Sequence, residues 1–196
     1  MRKILVIAAL IIGVISCGKE EDSATGNYPE IVGTWRIVDG EVNGQRTSLN
    51  PDLTYEDKQA QDCAKRSTLK FLSNGDFRGV HYIPIMEPKK IDGRYYGFSY
   101  AKCYKLDFDE GATEGTVKYK IRNRKIIIYG NDNDGESEEF EFFNIESLSG
   151  RTLKVSYSGD ARSIFEGIKS FAEQHNLKIP EYYNVALNGF IIMEKQ

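Results

Sequence analysis

The feature that most constrains this chain is a period of two that returns in run after run, each bounded by turn residues. In Thr116-Val117-Lys118-Tyr119-Lys120-Ile121, one side carries Val117, Tyr119 and Ile121, and the other Thr116, Lys118 and Lys120. Successive side chains of an extended strand point to opposite faces, so such a run has one buried and one wet face. Glu138 to Ile145 repeats the pattern, with Phe140 and Phe142 opposite Glu139 and Glu141, and so does Arg151 to Ser158, with Leu153, Val155 and Tyr157 opposite Thr152, Lys154 and Ser156. Thr68 to Phe71 alternates too, and Asn74-Gly75 turns it back as a hairpin into Phe77 to Ile83. With Ile31 to Val38, Tyr100 to Phe108 and Lys125 to Tyr129, eight strands are expected.

Two long connections interrupt this series. Asp39 to Arg66 is rich in Gly, Asn, Asp and Gln, with helical character from Thr54 to Ala64. Ile83 to Phe98 carries Pro84 and Pro88, which cannot donate to a ladder, and is expected to be a loop. Connections this long are commonly lids or binding loops. After Ser158 the period changes. Ile164, Ile168 and Phe171 are spaced for one helical face, Ser163 and Glu166 form a capping-box pair, and Asn176 and Pro180 stop the helix. Val185 to Met193 then predicts a final strand.

The front of the chain supplies an address. Arg2 and Lys3 precede twelve apolar residues, Ile4 to Ile15, too few to span a bilayer and suited to a signal-peptide core. Val14-Ile15-Ser16-Cys17 resembles the lipobox of bacterial lipoproteins. That resemblance implies a signal peptide over 1–16, removal of which leaves Cys17 as an acylated N-terminus. Its fatty chains, palmitate among them, would hold the protein on the lipid bilayer. Residues 17–29 read as an acidic tether, and Lys19-Glu20-Glu21-Asp22 resembles the surface-export signal of lipoproteins in Bacteroidota-type bacteria; a solvated linker is the plainer reading. The implied location is the outer membrane, with the cell surface a further expectation. Loss of Arg2 and Lys3 leaves 24 basic against 29 acidic residues, a net charge of −5, which disfavours nucleic acid as a partner.

Residues 30–196 suit a single domain with one core. Its first strand holds the only tryptophan, in Gly33-Thr34-Trp35, and the Gly-x-Trp spacing resembles the signature that opens lipocalins and lipocalin-like lipoprotein domains. Eight strands, one helix and one final strand is also the lipocalin order of elements. The resemblance implies an all-β, eight-stranded antiparallel up-and-down barrel with one C-terminal helix and a ninth strand pairing with the first. The family's Thr-Asp-Tyr signature and its late arginine over the tryptophan have no recognisable counterpart here. A β-sandwich is the competing architecture, and the neighbour of Ile31 to Val38 decides between them.

With Cys17 on lipid, Cys63 and Cys103 remain, and an even pair outside the cytoplasm predicts one disulfide; two free thiols or zinc are the alternatives. In the barrel topology the bridge would staple the long first loop, carrying Cys63, to the rim beside a strand carrying Cys103. Direct bonding between the strands Thr68 to Phe71 and Tyr100 to Phe108 is not expected, because Phe77 to Ile83 separates them.

No catalytic constellation is legible. His81 and His175 have no Ser, Cys or carboxylate pattern beside them, so no enzyme activity and no cofactor are expected. Gly130 to Glu141 places Asp132, Asp134, Gly135 and Glu141 at EF-hand spacing but begins with Gly130 where a carboxylate is needed, so no metal site is expected. Tyr95-Tyr96, Tyr100, Tyr104 and Tyr182-Tyr183 cluster, in a pattern that suits apolar ligands, sugar rings or plain packing. The leading expectation is a membrane-anchored binding protein that holds a small apolar or amphipathic ligand inside the barrel, against Phe71, Tyr119, Ile126, Ile128 and Val155. The other is a surface module that binds glycan or protein through its loops. Cys17→Ala is expected to move the protein from the membrane pellet to the soluble fraction on carbonate fractionation; unchanged pelleting would refute acylation there.

Overall fold

The structure, a computed structural model, describes residues 25–109, 117–130 and 139–196. The signal peptide, Cys17, the acidic run and Asp132, Asp134 and Gly135 lie outside the described residues. Ten strands form one antiparallel sheet: β1 (Gly33–Val42), β2 (Gln45–Arg46), β3 (Thr68–Phe71), β4 (Phe77–Ile91), β5 (Arg94–Asp107), β6 (Lys118–Arg122), β7 (Lys125–Tyr129), β8 (Glu139–Ser149), β9 (Thr152–Tyr157) and β10 (Gly189–Lys195). Among the described residues three α-helices accompany them, α1 (Tyr55–Ala64), α2 (Asp160–Gln174) and α3 (Glu181–Asn188).

The strand order is β5-β4-β3-β1-β10-β9-β8-β7-β6, with β2 beside β1. The last strand therefore pairs with the first, from Trp35 opposite Lys195 to Val42 opposite Gly189. The expected eight barrel strands and final ninth are corrected to ten, β2 being the addition, and the sheet is not closed, since its end strands β5 and β6 do not pair. One end strand, β6, still reaches the turn before β4, on the other half of the sheet. There the Phe77 N–H donates to the Val117 carbonyl and the Tyr119 N–H to the Gly75 carbonyl, both at 2.8 Å.

A one-turn 3-10 helix, Pro29–Ile31, and Trp35 seal one end of the sheet. Trp35 is fully buried, and its indole N–H donates to the Ile31 carbonyl at 2.6 Å. The Lys195 ammonium lies 5.4 Å above the indole ring and donates to the Glu30 carbonyl at 2.8 Å. A cation over a buried indole face is a favourable electrostatic contact, so a lysine covers the tryptophan where no arginine was recognisable. The residues Thr25 to Pro29, counted in the tether, are ordered here: Tyr28 N–H bonds the Thr25 carbonyl at 2.9 Å.

Three expectations about elements are corrected. Ile83 to Phe98 is no loop, because β4 and β5 run on as a hairpin through Asp92-Gly93, both at positive φ (48° and 82°) as a two-residue mirror turn requires. The prolines fit because β4 has no strand neighbour beyond Val80 except β5. On β4 the N–H groups of Tyr82 and Met86 point away from β5, to the Ser67 hydroxyl (2.8 Å) and the Tyr183 hydroxyl (3.1 Å). Pro84 and Pro88 have the same parity, so neither removes a bond to β5. Second, the final strand starts at Gly189, and the residues before it form α3. Tyr182 with Ala186 and Tyr183 with Leu187 are i, i+4 pairs, and all four are buried. Third, α2 is capped at Gly159 rather than by a Ser163–Glu166 box, and it buries Phe165 and Ala172 while Ile164 is 70% exposed.

Gly79 marks the point where β4 exchanges partners. Its φ is +110°, and a Cβ there would stand 2.1 Å from the Thr68 carbonyl oxygen. Gly150, at φ +53°, has nothing within 4 Å of its Cβ position. Gly79→Ala is expected to cost more than about 2 kcal/mol in urea unfolding and Gly150→Ala about 1 kcal/mol; equal midpoints for the two would contradict this account.

Candidate functional site

The space enclosed by the strands is filled by rings. Phe71 stands edge-on to Tyr119 at 5.0 Å and lies 5.1 Å from Phe77, which meets Phe108 at 4.8 Å. Ile126 pairs with Phe143 and Ile127 with Glu141, so Phe142 is bulged out of register and both phenylalanines turn inward, 4.1 Å apart. The stack continues through Phe143–Tyr157 (5.3 Å) and Tyr157–Phe165 (5.2 Å) to the helices. Offset and edge-to-face contacts of this kind add to the area they bury.

One polar chain enters this apolar column. His81 Nε2 and the Tyr157 hydroxyl are 3.0 Å apart, and the Tyr157 and Tyr182 hydroxyls 2.8 Å. His81 Nδ1 has no partner among the described residues. A buried N–H without an acceptor is costly, so the tautomer protonated on Nε2, which leaves only a lone pair unpaired, is the favoured one. Burial holds the imidazole at a pKa of about 4, so it is neutral at physiological pH. Burial also raises the Tyr157 and Tyr182 hydroxyls, and lifts that of Tyr119, which donates to the Leu72 carbonyl, to about 12. Neutral and shielded, these groups are suited to holding structure. Beside them lies a cavity of about 30 Å³, lined by Ile37, Gly40, Gln61, Tyr157, Tyr182 and Ile191. One water needs roughly 10–15 Å³, so about two would fill it.

Helices α1 and α3 cover the end of the sheet opposite Trp35. Asp57 joins them: its carboxylate accepts from the Thr54 N–H (3.2 Å) and hydroxyl (2.8 Å), closing the capping box of α1, and from the Glu181 N–H at the start of α3 (3.0 Å). The disulfide between Cys63 and Cys103, Cα atoms 5.7 Å apart, fastens the far end of α1 to β5. The expected bridge is present, with Cys63 in a helix rather than a loop. Asp39 pins the loop after β1. Burial acts to raise its carboxyl, but hydrogen bonds from the Ser48 hydroxyl, the Gly40 and Ser48 N–H groups and the Thr47 hydroxyl outweigh it and hold the pKa below the usual range.

Over this cap run two open grooves. The first, about 480 Å³, lies between the start of α1, the β4–β5 arm and residues 176–181, with Met86, Phe98, Leu177 and Ile179 among its apolar lining and Tyr96 at its edge. Tyr96 is an extra residue where the β4–β5 register shifts, and it is 62% exposed. The second, about 560 Å³, lies between the β1–β2 turn and α3 and is lined largely by amides. Asn50 and Glu181 line both, so the two are neighbours.

Phe71, Tyr119, Ile126, Ile128 and Val155 all lie in the core, and none of them lines either groove or the small cavity. His81 is a buried wall residue, and His175 caps α2 with its ring 4.4 Å from Tyr95. Glu141 of the EF-hand-like spacing holds the Lys125 ammonium at 2.7 Å, and no cluster of metal-binding side chains occurs among the described residues. The grooves themselves were missed, although Asp92-Gly93 was a readable hairpin signal; the prolines on either side of Ile85 and Met86 concealed it. No family model, curated protein or solved structure matches the chain.

Because the folded pKa of His81 lies below the unfolded value of about 6.5, the unfolded state binds the extra proton between the two. Its contribution to stability is complete above about pH 6.5 and is lost as pH falls toward 4, by roughly 3 kcal/mol in total. His81→Phe is expected to flatten urea midpoints across that window; an unchanged slope would show that other groups cause it.

Proposed function

We propose that this protein is a lipid-anchored binding module of the bacterial outer membrane whose ligand sits in the grooves over the capped end, with the β-sheet as a rigid support. The observation that carries this reading is the pair of adjoining grooves over the cap, of about 480 and 560 Å³, which share Asn50 and Glu181 and are each within the size range of ligand sites. The residues expected to line an interior site are packed in the core instead, and a separate opening of about 510 Å³ beside β3 and β4 is edged by Lys70, Arg78 and Asp109.

Lipocalin-type architecture remains part of the proposal. It is supported by the 3-10 turn before Gly33 and Trp35, by Lys195 over the indole, and by β10 beside β1. The anchor and the grooves also fit together. The chain enters beside the Trp35 end, where Glu30 meets Lys195. Seven residues lie between Cys17 and Thr25, so the eight steps of chain reach at most about 28 Å. An acylated Cys17 would thus keep the Trp35 end near the bilayer and turn the cap outward, whichever side of the membrane the domain occupies.

Hydrogen exchange of the protein with and without a delipidated envelope extract of its host tests the assignment. Slowed exchange confined to residues 86–98 and 176–188 is expected. A lipid retained in native mass spectrometry, whose removal instead alters exchange in β7 and β9, would return the ligand to the interior and overturn it.

A further inference from the structure

We infer that the ligand of the paired grooves is an uncharged oligosaccharide, an inference that rests on the cap being the binding face. The argument starts from the amides. Asn43, Gln45, Asn50, Asn184 and Asn188 line the second groove, and Asn50 and Asn176 the first. Asn43 and Asn176 sit at positive φ (51° and 54°), where asparagine is favoured by the backbone alone. Gln45, Asn184 and Asn188 have no such reason, and their side chains are not hydrogen-bonded to other described residues. An amide offers a donor and an acceptor side by side, as a hydroxyl does, so a row of free amides matches a row of hydroxyls.

Charge points the same way. Asp52, Glu56 and Glu181 face the grooves together with Arg46, Lys89 and Lys178; the remaining carboxylate, Asp57, is occupied by its helix caps. The balance gives neither a polyanion nor a polycation an advantage, and it supplies further donors and acceptors for hydroxyls. The first groove adds what amides lack, an apolar surface for the C–H face of a ring, in Tyr96 and Phe98. Because the grooves share Asn50 and Glu181, one ligand crossing from the aromatic part to the amide part would span both, which calls for a chain of rings rather than a monosaccharide.

The test uses the full-length acylated protein in detergent. On a glycan array carrying neutral, sulfated and uronic-acid oligosaccharides, retention of neutral ones is expected. Tyr96→Ala and the double variant Asn184→Ala/Asn188→Ala should each weaken binding of a retained neutral hexasaccharide at least tenfold, with unchanged circular dichroism, while Ile164→Ala, exposed on α2 away from both grooves, should leave it as it was. In parallel, periodate treatment of the envelope extract, which cleaves vicinal diols, should abolish the exchange protection at 86–98 and 176–188, and protease treatment should not. Protection at those segments that survives periodate, or retention of charged glycans alone, overturns the oligosaccharide while leaving the cap as the binding face. No protection there at all removes both.

Discussion

The pairing of β10 between β1 and β9 is the interaction on which the rest of the fold depends. It joins the sheet's two halves: β5-β4-β3-β1 on one side and β9-β8-β7-β6 on the other are each continuous, and among the described strands β10 alone forms a backbone ladder with both. Ile191 and Met193, buried on the inner face of β10, meet Gly40 and Ile37 of β1 and Val155 and Leu153 of β9. Since these partners lie some 150 residues away from β10 in the chain on one side, the sheet cannot be completed until β10 is available, and the contact is slow to form for reasons of loop closure.

The same strand ties the two ends of the molecule to each other. At its finish Lys195 covers Trp35, so the seal at one end is completed by β10. At its start Gly189 follows directly on α3, close against Glu41: a Cβ there would stand 2.3 Å from the Glu41 carbonyl oxygen. Helix α3 is thus held over the opposite end, where Asp57 and the Arg162 guanidinium, which donates to the Leu187 carbonyl, fasten it to α1 and α2. The cap is therefore a fixed part of the fold. Three separate ties, a carboxylate, a disulfide and a guanidinium, each act on a different helix end.

A rigid cap over a ring-filled sheet changes where binding energy can come from. An interior ligand would have to displace aromatic contacts that already fill the space, at the cost of leaving them unpacked. A ligand on the cap meets side chains that water now solvates, held by elements that need not move. Preorganisation of this kind lowers the ordering cost of association.

Much of the fold was legible because a period of two is a direct consequence of strand geometry. The hairpin at Asn74-Gly75, the alternation in β6, β8 and β9, the helical character at Thr54 to Ala64 and the pairing of Cys63 with Cys103 could all be read from residues in order. Local signals failed where the deciding group was distant. Pro84 and Pro88 read as a break until β3 is seen to end opposite Val80, leaving an edge on which a missing N–H costs nothing. Tyr182 to Leu187 can be strand or helix by composition, and the surface it covers, together with Gly189 wedged against Glu41, settles it as helix. Phe142 reads as one inward residue of an alternation, yet a register shift turns Phe143 inward as well. The candidate site was the least legible part of all, since Asn50, Tyr96 and Asn184 come from three segments of unremarkable sequence. The sequence by itself determined an antiparallel β domain with one disulfide, because alternation and cysteine pairing are properties of neighbouring residues and of composition. Only the tertiary structure decided that Phe71, Tyr119, Ile126, Ile128 and Val155 pack into the core and that two adjoining grooves form over the cap, because packing volume and the meeting of distant loops depend on how all the strands and helices are placed together.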